Sequence, residues 1–339
     1  MPAEAAAGYR EFYRGRRVLV TGGLGFIGSN LARQLVDLGA DVLLVDAMIP
    51  DYGGNLFNIA GLEDRLRVNL GDVRNETIMD VLVRDREVIF NLAGQVSHID
   101  SMRDPFTDLD INCRAQLSML EACRKFNPGV KVIFAGTRQV YGKPDRLPVD
   151  ESHLVRPIDV NGVNKAAGEY YHLLYNNAFG VRATSLRLTN VYGPRQLIKH
   201  NRQGFIGWFL RLALEGREIQ VFGDGSQMRD FVFVEDAADA FLRAGACGSC
   251  DGDVFNVGGR EPIAHRDLVE LLLDVAGSGS VTYVPWPPEK KIIDIGSFYS
   301  DSSKFSRLTG WAPRVALREG FERTIAFYRA NLGRYVEEA

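Results

Sequence analysis

The chain has 339 residues, of which 46% are hydrophobic and 24% charged. That length and balance suit about two globular domains, and exclude disordered, collagen-like and coiled-coil classes. Forty Lys and Arg against 43 Asp and Glu leave a net charge of -3, which gives no bulk reason to bind nucleic acid or an anionic membrane. Glycine is the outlier: 35 residues, where an average protein of this size has roughly 7%.

Met1 to Arg17 lacks an apolar core and does not read as a secretion signal. Arg17–Thr21 is the first predicted strand. It runs into Gly22-Gly23-Leu24-Gly25-Phe26-Ile27-Gly28 and then a helical pattern over Gly25–Leu38. Gly23, Gly25 and Gly28 fit G-x-G-x-x-G; Gly22, Gly25 and Gly28 fit G-x-x-G-x-x-G. Missing side chains permit a tight turn and close approach of a pyrophosphate. The helix N-terminus then offers free N–H groups and a positive dipole end. Strand, glycine turn and helix together make a strong dinucleotide signal. The second predicted strand, Asp41–Asp46, ends in a carboxylate at about the ~20-residue spacing of the acid that binds an adenosine ribose. Asp46 would repel a 2′-phosphate, so the expected cofactor is NAD rather than NADP.

Further strands are predicted over Leu66–Leu70, Val88–Leu92, Val130–Ala135, Ala183–Leu188 and Val254–Val257. The first five strands of the chain are almost continuously apolar, as parallel strands buried on both faces are. Helices are predicted over Glu76–Arg84 behind an Asn75 cap, over Pro105–Phe126, and over Lys165–Phe179. Alternating strands and helices imply an α/β doubly wound parallel sheet of the Rossmann type. After Thr189 the loops lengthen, and helical patterns recur at Ile206–Leu214, Glu235–Ala246, His265–Val275 and Leu317–Arg329. The expected organisation is a Rossmann domain over 1–189 and a smaller, mostly helical substrate lobe over 190–339. The strand at 254–257 returns to the sheet, so the two interleave.

Cys247 and Cys250 have C-x-x-C spacing, but Cys113 and Cys123 form no second pair of the kind a zinc site needs. The four cysteines are read as structural or incidental. His153, His172 and His265 show no metal-binding spacing, and no metal is expected. No stretch reaches the ~18 apolar residues of a membrane span. The chain is read as cytoplasmic, with no nucleic-acid or membrane partner.

Several segments, in order, resemble the extended short-chain dehydrogenase/reductases, in particular the NAD-dependent nucleotide-sugar epimerases and dehydratases. They are Thr21–Gly28, Gly71-Asp72-Val73, Asn91-Leu92-Ala93-Gly94, Phe134–Gly142, Leu186–Arg195 and Gln227–Asp236. The resemblance spans nearly the whole chain. It implies that Gly22, Gly25, Phe26, Ile27, Gly28, Asp46, Asp72, Val73, Leu92, Ala93, Gly94 and Lys165 bind the cofactor. It implies that Thr137 hydrogen-bonds the reacting sugar hydroxyl, and that Asn190 and Arg229 hold a nucleotide diphosphate. A guanidinium suits phosphate because it bonds two oxygens at once. The family also implies a homodimer built from the Pro105–Phe126 and Lys165–Phe179 stretches.

The chain departs from the family pattern twice. The family has an acid/base Tyr four residues before the Lys; here Asn161 holds that position. An amide cannot shuttle a proton near neutral pH, whereas a phenol beside a lysine can. Three readings stay open: another group (Lys165, Tyr141, Tyr192 or His98) moves the proton; the chain binds but turns over poorly; or the reaction needs no strong base there. Second, Arg138-Gln139 follows Thr137 where related 4,6-dehydratases carry an Asp-Glu pair, which argues against dehydration. An Arg there would suit a sugar C6 carboxylate, while an outward Arg paired with an acid is the plainer alternative. Gln139 is grouped with Arg138 at the substrate. The expected activity is NAD-dependent C4 epimerisation of a UDP-hexose or UDP-uronic acid through a transient 4-keto sugar. The alternatives are a one-way nucleotide-sugar oxidoreductase and a catalytically weak NAD and nucleotide-sugar binder.

Overall fold

The computed structural model describes residues 8–336. The main sheet begins with β1 (Arg17–Thr21), followed by the glycine turn, α1 (Phe26–Asp37) and β2 (Asp41–Val45). It continues through β3 (Arg67–Asn69), α2 (Glu76–Leu82) and β4 (Val88–Asn91). The Asn75 side chain caps α2 by accepting from Ile78 N at 3.1 Å, as its sequence position predicts.

The helix predicted over Pro105–Phe126 is broken. After α3 (His98–Arg103), α4 (Pro105–Leu109) passes through a π turn at Asp110–Arg114 into α5 (Ala115–Phe126). The wider turn brings the Asn112 side chain to Gln95 O at 2.9 Å and to Asp108 Oδ2 at 3.0 Å. Periodicity alone does not register one inserted residue. Past β5 (Lys131–Thr137), α6 spans Val160–Phe179 and begins five residues before its predicted start. Asp159 caps it, accepting from Gly162 N at 2.6 Å, so Asn161 sits in its first turn. Then β6 (Arg182–Leu188) completes the first run of strands.

Beyond β6 come β7 (Asn190–Tyr192), α7 (Phe205–Leu214), β8 (Glu218–Phe222), β9 (Met228–Arg229) and β10 (Phe231–Phe233). After α8 (Val234–Ala246), β11 (Val254–Val257) rejoins the main sheet, pairing in parallel with β6. The chain ends through β12 (Ile263–Ala264), α9 (His265–Ala276), β13 (Ser280–Val284), α10 (Ser303–Thr309) and α11 (Leu317–Asn331). The lobe is thus not helical alone: β7 pairs with β10, β8 with β13 and β9 with β12. β7, β9, β10 and β12, of two or three residues each, leave too little alternation to be read from sequence; β8 and β13 are five residues long but lie outside the predicted strands.

The seven-stranded sheet has the order β11-β6-β5-β4-β1-β2-β3, all in parallel. Val18, Val20, Leu31, Leu35, Phe90 and Phe241 bury one face under α1 and α8. Leu19, Val45, Ile89, Met119, Leu120 and Val132 bury the other. The lobe has a core of its own around Tyr192, Phe209, Phe231, Leu268 and Phe321. Strand order reverses between β1 and β4, and the crevice beyond that point is where such sheets bind ligands.

Candidate active site

A cavity of about 430 Å³ opens over the C-terminal ends of β1, β2, β4, β5 and β6. Thr21 ties two of these ends together. Its hydroxyl donates to Asn91 Oδ1 at 2.9 Å and accepts from Leu92 N and Ala93 N at 3.0 and 2.9 Å. Gly22 takes φ +65°, a conformation that side chains oppose. A Cβ on Gly28 would stand 2.2 Å from Gly22 O, so the turn closes only without one. Asp46 follows the end of β2 and accepts from Leu24 N at 3.0 Å and Met48 N at 2.9 Å. Burial raises its carboxyl above the ordinary range. Asp72 is held below the usual range, chiefly by the Arg74 guanidinium 2.6 Å away.

Every residue expected to touch the cofactor lines this cavity: Gly22, Gly25, Phe26, Ile27, Gly28, Asp46, Asp72, Val73, Leu92, Ala93, Gly94 and Lys165. A cradle that only glycine fits, a carboxylate beyond β2 and an apolar wall are what a dinucleotide requires. The site fits NAD.

Thr137, Arg138, Gln139, Asn161 and Asn190 line the other end of the same cavity. Lys165 is buried and donates from Nζ to Ala135 O at 3.3 Å. Burial pushes its amine down to about 8, with Asp108 pulling the other way. Asn161 donates from Nδ2 to Gln95 O at 2.8 Å and to Asp108 Oδ2 at 3.0 Å. Asp108 itself is fully buried. It accepts from the amides of Asn112, Asn161 and Asn164.

Two of the four groups considered as a replacement base lie elsewhere. Tyr141 is buried, donating to Asn256 Oδ1 at 2.7 Å and accepting from Arg187 Nη1 at 2.8 Å. Burial pushes its phenol up to about 12. Tyr192 is buried in the lobe core, where burial raises its phenol as well. His98 does line the cavity, with Nδ1 3.0 Å from Asp159 Oδ2. That N–H does not point along the line between the two atoms, so the contact is close without being an aligned hydrogen bond.

Arg138 turns inward rather than out to an acidic partner. Its nearest acceptors are Gln139 Oε1 and Asn190 Oδ1, each at 3.4 Å, and its guanidinium lies 5.2 Å from the Phe298 ring centre. Burial lowers its pKa, and Asp230 and Asp159 act on it only through space. Arg229 stands back from the cavity lining. It donates from Nη1 to Met228 O at 2.9 Å and to Gly296 O, while its buried Nε has no partner among the described residues. Burial, then the neighbouring Arg138 charge, lowers it to about 9.

The lining also includes Tyr52, Gly53 and Gly54 after β2, and Gln196, Leu197 and Gln203 after β7. These loop residues carry no periodicity, and nothing in their spacing marks them. Asp108 was missed too. Its one sequence signal is Asn112 four residues on, an ordinary helical pair.

Residues 18–258 match the NAD dependent epimerase/dehydratase family. The chain belongs to that family. The UDP-glucose 4-epimerase of Mycolicibacterium smegmatis is 34% identical over 92% of this chain and 98% of its own length. The structure of UDP-glucose 4-epimerase with UDP-glucose from Thermotoga maritima superposes with a TM-score of 0.85 at 32% identity, covering 93% of this chain and 99% of that one. The dTDP-glucose 4,6-dehydratase DesIV of Streptomyces venezuelae, solved with NAD bound, gives 0.85 at 29% identity over 94% and 98%. Membership in the NAD dependent epimerase/dehydratase family makes NAD the cofactor. No helix among the described residues is long and apolar enough to cross a membrane.

Proposed function

We propose that this chain is a nucleotide-sugar 4-epimerase acting on a UDP-linked sugar, with a preference for a UDP-uronic acid. The observation that carries the reading is Arg138, a cation turned into the sugar end of the cavity with only two 3.4 Å neutral acceptors near it. A guanidinium in that state gains most from an anion that bonds it at two points. The Arg138-Gln139 pair lacks the acid and base that loss of water from C5 and C6 needs, which favours epimerisation over dehydration. The UDP moiety rests on the relatives that act on UDP-glucose.

Bound NAD supplies the hydride acceptor and donor. Gly22, Gly25 and Gly28 admit its pyrophosphate to the α1 N-terminus, and Asp46 meets the adenosine ribose. Lys165 holds the nicotinamide ribose, and its positive charge favours an ionised hydroxyl nearby. Thr137 orients the C4 hydroxyl. Asn190 and Arg229 hold the diphosphate; Arg229 reaches it by giving up a carbonyl contact, its free Nε being one incentive. The 4-keto sugar then turns over within the cavity and is reduced on its opposite face. Incubation with UDP-glucuronate and UDP-glucose, read by proton NMR, tests this: the C4 epimer accumulates without net reduced cofactor. A 4-keto-6-deoxy product, or one equivalent of reduced cofactor per sugar, contradicts it.

We also propose a homodimer. Phe106 and Leu109 on α4 and Val163, Tyr170 and Leu174 on α6 are exposed, and an apolar set of that size on adjoining helices suits burial against a second copy. Light scattering that gives the mass of a single chain contradicts this.

A further inference from the structure

We propose that His98, oriented by the buried carboxylate of Asp159, accepts and returns the proton of the reacting hydroxyl in place of the phenol that Asn161 displaces. This rests on the epimerase reading above and supplies the acid/base it lacks. His98 begins α3, and its backbone is fixed there. Ser97 caps the helix by accepting from Asp100 N at 3.1 Å, and Ser101 Oγ donates to His98 O at 2.8 Å. The side chain is about one-third exposed and faces the cavity, while the Asp159 side chain is wholly buried.

Asp159 is anchored on its other sides. Oδ1 accepts from Gly162 N at 2.6 Å, and Oδ2 accepts from Gln139 Nε2 at 3.0 Å. Gln139 N in turn donates to Thr137 Oγ1 at 3.2 Å. One connected set of groups therefore runs from Thr137, the expected partner of the sugar hydroxyl, to the imidazole. A carboxylate beside Nδ1 favours the tautomer with its proton there. That leaves Nε2 as an acceptor, and among the described residues it makes no hydrogen bond. A small ring rotation aligns the 3.0 Å Nδ1 to Oδ2 contact.

Burial opposes ionisation of Asp159, yet the nearby His98 and the bonds from Gly162 and Gln139 hold its carboxyl below the usual range. It is thus an anion when the imidazole becomes charged. Oxidation of a secondary alcohol to a ketone releases one hydride and one proton. The cofactor accounts for the hydride; Nε2 takes the proton as the C=O bond forms and gives it back when the ketone is reduced. The alternatives are weaker. Tyr141 and Tyr192 lie off the cavity, Lys165 is turned to Ala135 O, and the Asn161 amide neither takes up nor releases a proton near neutral pH.

Two measurements on the NAD-loaded protein test the proposal. The first is nitrogen-15 NMR of His98 without substrate. Nδ1–H is expected to be the dominant neutral tautomer, and Asp159→Asn, which preserves the helix cap, is expected to lose that dominance. A dominant Nε2–H tautomer overturns the proposal whatever the enzyme's substrate. The second is His98→Gly on the epimerised sugar. It is expected to lower kcat by about 10²- to 10⁴-fold, the usual contribution of a positioned acid/base, with NAD content unchanged and with rate recovered on adding imidazole. A retained kcat, or a loss that imidazole does not recover, overturns it. A wild-type protein inert on every nucleotide sugar would instead count against the epimerase reading, and the tautomer would still decide the role of His98.

Discussion

Asn161 Nδ2 donates to Asp108 Oδ2 at 3.0 Å, so the position four residues before Lys165 is tied into the floor of the site. The same amide reaches Gln95 O at 2.8 Å. Asn161 is thereby part of a cage of amides around the buried Asp108 side chain. Asn161→Ala leaves Asp108 with two of its three amide donors. Hydrogen bonds to a charged group contribute about 1.5–3 kcal/mol, and urea unfolding is expected to show a loss of that order. An unchanged midpoint would mean that the cage is slack.

Gly28 is a steric test of the cofactor cradle. Its added Cβ would meet Gly22 O at 2.2 Å, backbone against backbone, with no flexible side chain to yield. Gly28→Ala is expected to emerge from purification with little bound NAD, measured after release by heat or acid. Full NAD occupancy in a folded variant would contradict the placement of the pyrophosphate.

Arg138 tests the substrate preference. If its guanidinium meets a C6 carboxylate, Arg138→Ala lowers kcat/KM for UDP-glucuronate much more than for UDP-glucose. A charged hydrogen bond of about 1.5–3 kcal/mol corresponds to a selective loss of roughly 10- to 150-fold. An equal loss on both sugars would assign Arg138 to the diphosphate or to the fold.

Lys165 gives a pH dependence with a definite sign. Its amine is pushed from 10.5 down to about 8 by burial. Below about pH 8 the folded chain carries a buried charge, and this costs stability. Between there and 10.5 the folded chain sheds the proton while the unfolded chain keeps it, so this residue's contribution to stability rises with pH. Lys165→Met removes the titration. In nucleotide-free protein, the Tm advantage of that variant is expected to be largest at neutral pH and to shrink through pH 8 to 10. A difference constant with pH would contradict the burial of the charged amine.

Much of the fold was legible because β1, β2, β4 and β5 are buried on both faces and read as nearly continuous apolar runs; β3, expected to be buried with them, is an edge strand and largely exposed. The glycine turn was legible because the tight passage from β1 into α1 leaves no room for a side chain at Gly28, and Asp46 because it closes the apolar run of β2. The break at Asp110–Arg114 was not legible, since a π turn costs one residue of phase and leaves the apolar pattern intact. Nor was the early start of α6 at Val160, because Asn161, Gly162 and Asn164 are weak helix formers. Among the residues that line the cavity, those on strand ends were singled out in the sequence, and those brought in by the loops after β2 and β7 were not. The Asp108 cage depends on residues from α4, the π turn and α6, which only the packed structure brings together.

In the proposed epimerisation, hydrogen leaves C4 of the sugar and returns to the same carbon within one bound cycle. The most direct measurement is turnover of UDP-glucuronate deuterated at C4 in ordinary water. The prediction is a C4-epimeric product that keeps its deuterium at C4, with no accumulation of reduced cofactor. Loss of the label to solvent, or its appearance in released NADH, would contradict the account.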